Sequence, residues 1–349
     1  MNASNLLRNG VILTLIGVAA CSEVAPPVAP DARPTPTEPS LAKSAAPITD
    51  ENVSVSPIFA QINARLAASR AKVRAVKAEL LMDGKGWNGA SSTIIIANDR
   101  ARGIGSEWVK GDPRRGGRVG VTYAFGSNTS TPPETRDPDG SNRRFVLVSQ
   151  LDAQIEEGMS AWRGLSCSRQ PITRVAAGID PDLLDQIFNG QAPTIDYAQP
   201  ADIVQSGWQP LSFFTNFAGA SGANIIGVAF TFIFGDDVNG VFVPSDIDRN
   251  GKDDTALAEL YYNQQFYWGN NGARNVVDFY SIITHESGHA LGLGHFGKVF
   301  VTKKAAADGI QIADIKYAPY AMMNAVYVTG RNELAGTDNS SFCQIWASK

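Results

Sequence analysis

Histidine is almost absent from this chain: 349 residues contain three. Cysteine is equally scarce, at three, which excludes a disulfide-rich scaffold. Charged residues make up 18% of the chain and the net charge is −4, so there is no electrostatic case for nucleic acid as a partner. No segment is long and apolar enough for a transmembrane helix. The longest candidate, Ile225 to Phe234, carries Thr231 and reads as a buried strand. Hydrophobic content, at 44%, is ordinary for a globular protein.

All three histidines fall in one run, His285-Glu286-Ser287-Gly288-His289-Ala290-Leu291-Gly292-Leu293-Gly294-His295. On a helix, positions i and i+4 share a face about 6 Å apart, so His285 and His289 can reach one metal ion together. The approach, Val277 to Thr284, offers Asp278 as an N-cap and Ile282 and Ile283 as apolar positions. Glu286 is turned about 100° from His285, so it is no ligand from that face but can reach a metal-bound water as a general base. Gly292 lets the helix stop and the chain turn back, which brings His295 in from another direction. Three neutral imidazoles leave one zinc position open, as a catalytic site requires. The alternatives are a structural zinc site and a decayed one; neither Cys ligands nor the loss of Glu286 speaks for them.

The run reads H-E-x-x-H-x-x-G-x-x-H and resembles the zinc signature of the metzincin metallopeptidases. From Arg118 to Lys349 the layout is similar to a matrixin-type catalytic domain. The resemblance implies an α+β fold: a twisted mixed β-sheet with two long helices, and a zinc cleft between N- and C-terminal subdomains. It implies that Tyr320-Ala321-Met322-Met323-Asn324 is the Met-turn, with Met323 as the apolar floor under the zinc. It also implies a substrate-binding edge strand at Glu259, Leu260 and Tyr261. Some features depart from the matrixin pattern. Gly297 to Tyr320 separates His295 from the Met-turn, Phe296 replaces the usual subfamily marker, and residues 49–117 hold no cysteine to block the zinc. Lys110-Gly111-Asp112 faintly resembles the astacin aspartate switch; a plain turn before Pro113 is the other reading.

Residues 1–21 resemble a bacterial lipoprotein signal, with Arg8, an apolar run from Val11 to Ala20, and Cys21 as the lipidated residue. Ser22 after it favours, by resemblance, the outer membrane or cell surface. Residues 22–48 are rich in Pro, Ala, Thr and Ser and read as a tether. Residues 49–117 form an N-terminal segment, either a removable propeptide or a retained domain. It holds one long helix, Pro57 to Met82, packing through Ile62, Leu66, Val73 and Leu80. Residues 118–349 form the catalytic domain.

With Cys21 lipidated, Cys167 and Cys343 remain as a possible disulfide or two buried thiols. Asp246, Asp248 and Asn250, followed by Gly251, open like a calcium loop, with Asp254 as a further ligand; a solvated turn is the other reading. The expectation is an exported zinc endopeptidase acting on protein or peptide. A zinc hydrolase of a non-peptide substrate and a non-catalytic zinc-binding surface protein are the alternatives.

Overall fold

The computed structural model describes residues 56–346 apart from 84–92, 96–104, 127–133, 137–142, 146–147, 168–170, 177–181, 194–200, 270–275, 296–297, 302–314, 319, 328–329 and 332. The expected signal at 1–21, Cys21 and the tether at 22–48 lie outside the described residues. Helix α1 spans Ser56–Ala68 and buries Phe59, Ile62 and Leu66. It does not run on to Met82 as expected. Arg70 takes a positive φ of 58°, Ala71 N–H donates back to the Leu66 carbonyl at 2.9 Å, and the chain leaves as strand β1, Val73–Asp83. Val73, Val76 and Leu80 fit a helical period by number alone. β1 is buried on both faces, so its sequence lacks the alternation that marks a half-exposed strand.

The main sheet has ten strands; along its main path the others are β2 (Val121–Phe125), β3 (Ile172–Arg174), β4 (Ile203–Gln209), β5 (Ile225–Val238), β6 (Asp253–Asn263) and β7 (Val326–Tyr327), and Thr93–Ile95, Ser106–Glu107 and Val241–Pro244 pair with it off that path. The order along the main path is β7-β1-β5-β6-β4-β2-β3. β5 runs antiparallel to both neighbours, and every other pair on this path is parallel. The sheet is therefore mixed, as expected. Two consequences correct the sequence reading. Glu259, Leu260 and Tyr261 lie in β6, which is paired with β4 on one side and β5 on the other, so they are interior and have no open edge for a substrate strand. Spatial order in the sheet does not follow chain order, and β6 inserts between two earlier strands. The division expected at residue 117 also cuts through this sheet, because β1 pairs with β5 and β7 and Ser106–Glu107 pairs with β6.

Five more α-helices follow among the described residues: α2 (Val148–Arg163), α3 (Leu183–Phe188), α4 (Leu211–Ala218), α5 (Phe279–Ala290) and α6 (Gly336–Trp346). The two long helices expected are thus joined by α1 and α6, at 13 and 11 residues. One core lies between α2, α5, α6 and the sheet, and includes Leu81, Met159, Trp162, Leu260, Ile282 and Phe342. The other lies on the opposite face, where Ile62, Leu66, Val73 and Leu80 pack with Val228, Phe230 and Tyr261. The two cores give the sheet buried side chains on both faces. Cys167 and Cys343 form a disulfide that joins the segment after α2 to α6.

Candidate metal centre

Helix α5 carries the histidine pair, and its start is set by Asp278. The Asp278 carboxylate accepts from Ser281 N–H at 2.8 Å and from the Ser281 hydroxyl at 2.7 Å. Three buried tryptophans donate to backbone carbonyls along the helix and just past its end: Trp162 to Thr284, Trp108 to Ala290 and Trp346 to Leu291. Helix α2 approaches closely at Gly158, where a Cβ would stand 2.6 Å from Ile283 Cγ2. Beyond Ala290 the chain turns at Gly292, whose φ is 95°, and Leu293 N–H returns to the Gly288 carbonyl at 2.9 Å. A side chain with a Cβ would be strained at that φ.

This turn brings the three rings together. The Nε2 atoms of His285 and His289 are 3.0 Å apart, and each is 3.1 Å from Nε2 of His295. The opposite ring nitrogens face acceptors. His285 Nδ1 lies 2.7 Å from the Met322 carbonyl, His289 Nδ1 2.7 Å from the Leu293 carbonyl, and His295 Nδ1 3.3 Å from Glu79 Oε2. A carbonyl oxygen only accepts, so Nδ1 carries the proton and Nε2 keeps a lone pair. Burial pushes all three imidazoles down, His285 to about 3, so they are held neutral. Three lone pairs aimed at one point repel each other unless a cation sits between them. The spacing suits nitrogens that keep about 2 Å from one ion. His285, His289 and His295 can therefore hold a metal ion.

Glu286 is fully buried beside β5, where a Cβ on Gly227 would come within 2.6 Å of Glu286 Oε1. Neither of its carboxylate oxygens has a hydrogen-bond partner among the described residues. Burial raises its pKa, and the Glu79 charge adds to the shift. Below the triad, a Cβ on Gly288 would meet Met323 Sδ at 2.5 Å, so this methionine packs directly on the helix between the two histidines. The turn holding Met323 is fastened by Asp338, which accepts from Met322 N–H at 2.8 Å and Met323 N–H at 3.1 Å. Arg331 donates to the Met322 carbonyl at 3.2 Å, the same carbonyl that orients His285.

The other sequence-predicted residues lie apart from the triad's chemistry. Glu259 accepts from Leu183 and Leu184 N–H at the start of α3, and Tyr261 donates to Asp182 and Glu259. These contacts are structural and belong to the opposite face of the sheet. Asp112 is committed to Arg114 and caps the short turn that begins at Pro113, so the turn reading describes it. In the acidic loop, Asp246, Asp248 and Asp254 converge, and Asn250 donates to Asp248 and Glu107. Asp254, however, already pairs with Arg114 at 2.6 Å and accepts from Ser245. Arg114 thus already supplies positive charge to this carboxylate.

Sequence reasoning missed Glu79, Arg331 and Asp338 as parts of the centre. Asp338 stands in the first turn of α6, and the Met322-Met323 turn that it holds is the one signal that pointed near it. Comparison with protein-family models and with curated proteins finds no match to this chain.

Proposed function

We propose that this chain is a zinc-dependent endopeptidase of metzincin type, carried on the cell envelope of a bacterium by a lipid at Cys21. The observation that carries the reading is the converging triad, with every Nε2 turned inward and every Nδ1 facing an outer acceptor, and a buried Glu286 on the same helix whose carboxylate meets no hydrogen-bond partner among the described residues. Three neutral imidazoles with one coordination position free suit zinc in a catalytic role. Zinc bound there supplies a Lewis acid for the scissile carbonyl and lowers the pKa of water. Glu286 takes the proton from the attacking water and returns it to the leaving amine nitrogen. Burial raises its pKa, the direction that helps one carboxyl serve as base and then as acid. Met322 and Leu293 carbonyls hold the rings in the tautomer this requires. The peptide strand is not held by β6, whose two edges are taken.

One observation favours a second reading, a zinc-binding protein without hydrolysis. His285 and His289 are 1% and 4% exposed and the His295 side chain 10%, while β1 covers the edge of β5 that adjoins them. Incubation of the full chain with an unfolded protein separates the two. The endopeptidase reading expects cleavage that a chelator abolishes and added zinc restores. Stoichiometric zinc with no cleavage of any unfolded protein or peptide favours the second.

A further inference from the structure

We infer that Glu79 is a positioning residue of the metal centre: its carboxylate orients His295, as backbone carbonyls orient His285 and His289. The inference rests on the reading that the triad holds a metal ion. Two of the ligands stand on α5 and have their outer nitrogens fixed by the Met322 and Leu293 carbonyls. His295 lies beyond the helix, where no helical ladder sets its ring. Its Nδ1 instead faces Glu79 Oε2 at 3.3 Å, and both side chains are nearly buried. A carboxylate taken out of water needs a donor, and an imidazole N–H meets that need. The same contact fixes the His295 tautomer and makes its Nε2 a better donor to a cation.

The placement follows from β1. Side chains alternate along a strand, so Glu79 shares its face with Leu81, which packs in the core beneath α5, while Ala78 and Leu80 face α1. Glu79 stands opposite Ala229 on β5, a small residue that leaves room above it. The carboxylate approaches the outer nitrogen of His295 rather than the inner one, so it supports a ligand instead of replacing one. The metal centre is thereby built from both ends of the chain, and β1 becomes part of it.

Zinc affinity by chelator competition on the full chain, with ring N–H resonances of the zinc-loaded protein by NMR, tests this. Glu79→Leu should weaken zinc binding about 10–100-fold, the usual cost of losing such an outer partner. Glu79→Gln keeps the shape and an acceptor oxygen, so it should fold, lose less affinity, and shift only the His295 ring N–H. Affinity and His295 resonance unchanged in Glu79→Gln and Glu79→Leu, even with a lowered melting temperature, would reduce Glu79 to a buried structural residue and overturn the inference. A wild-type chain that takes up no zinc sinks the metal centre itself; wild-type binding matched by both variants sinks only the role of Glu79.

Discussion

At the residue scale, the metal-binding set depends on spacing along one helix and on one turn after it. His285 and His289 need only one helical turn, and Gly292 needs only the positive φ that it has. Removing the third ligand tests the set. His295→Ala should weaken zinc binding by more than the about 10–100-fold that an outer partner is worth, and activity should fall with it. Metal content after dialysis measures this; an unchanged value would place the third ligand elsewhere. The burial that lowers all three imidazole pKa values gives a second expectation. A lowered pKa keeps the neutral, metal-binding form below pH 6.5, where a free histidine would already take up a proton. Zinc should therefore stay bound to the folded protein at pH 5.5. Half-release near pH 6.5 with the fold intact would contradict the burial argument.

Elements were legible where a cap or a one-sided apolar stripe marks them, and β1 carries neither. α2 and α5 show helical spacing or capping that local chemistry explains, as with Asp278. β1 did not, because a strand with both faces in the core carries no alternation, and Leu66, Val73, Val76 and Leu80 also satisfy a helical count. The role of Glu259 was misplaced for a related reason: pairing partners of β6 depend on which strands flank it, and local sequence is silent on that. Asp338 shows the same limit, since its function lies in a turn that packs against it only in the folded chain. Asp338→Ala would leave Met322 N–H, Met323 N–H and Ala335 N–H without their acceptor. Stability should fall by about 2–4 kcal/mol, since each buried donor left unpaired costs about 1–3 kcal/mol before relaxation. Chemical denaturation reads this directly, and a midpoint equal to wild type would mean that the turn holds itself.

At the scale of the whole molecule, the N-terminal segment and the metal-bearing segment share one sheet. β1 fills the position between β5 and β7, and α1 covers one of the two cores. A chain beginning at Arg118 would lose both, exposing the long edge of β5 and apolar surface around Val228 and Phe230. It should be poorly soluble and bind zinc weakly. A shortened chain that is soluble, stable and much more active would identify residues 49–117 as a removable propeptide. The Cys167–Cys343 disulfide closes a 176-residue separation, worth about 4–5 kcal/mol in the chain-entropy model.

In the proposed function, Glu286 performs the proton transfers at a metal held by His285, His289 and His295. Glu286→Gln removes only the base, so zinc content and hydrolysis measured on the same preparation test it most directly. The variant should carry one zinc per chain and lose nearly all hydrolysis. One zinc per chain with near-wild-type turnover would contradict it.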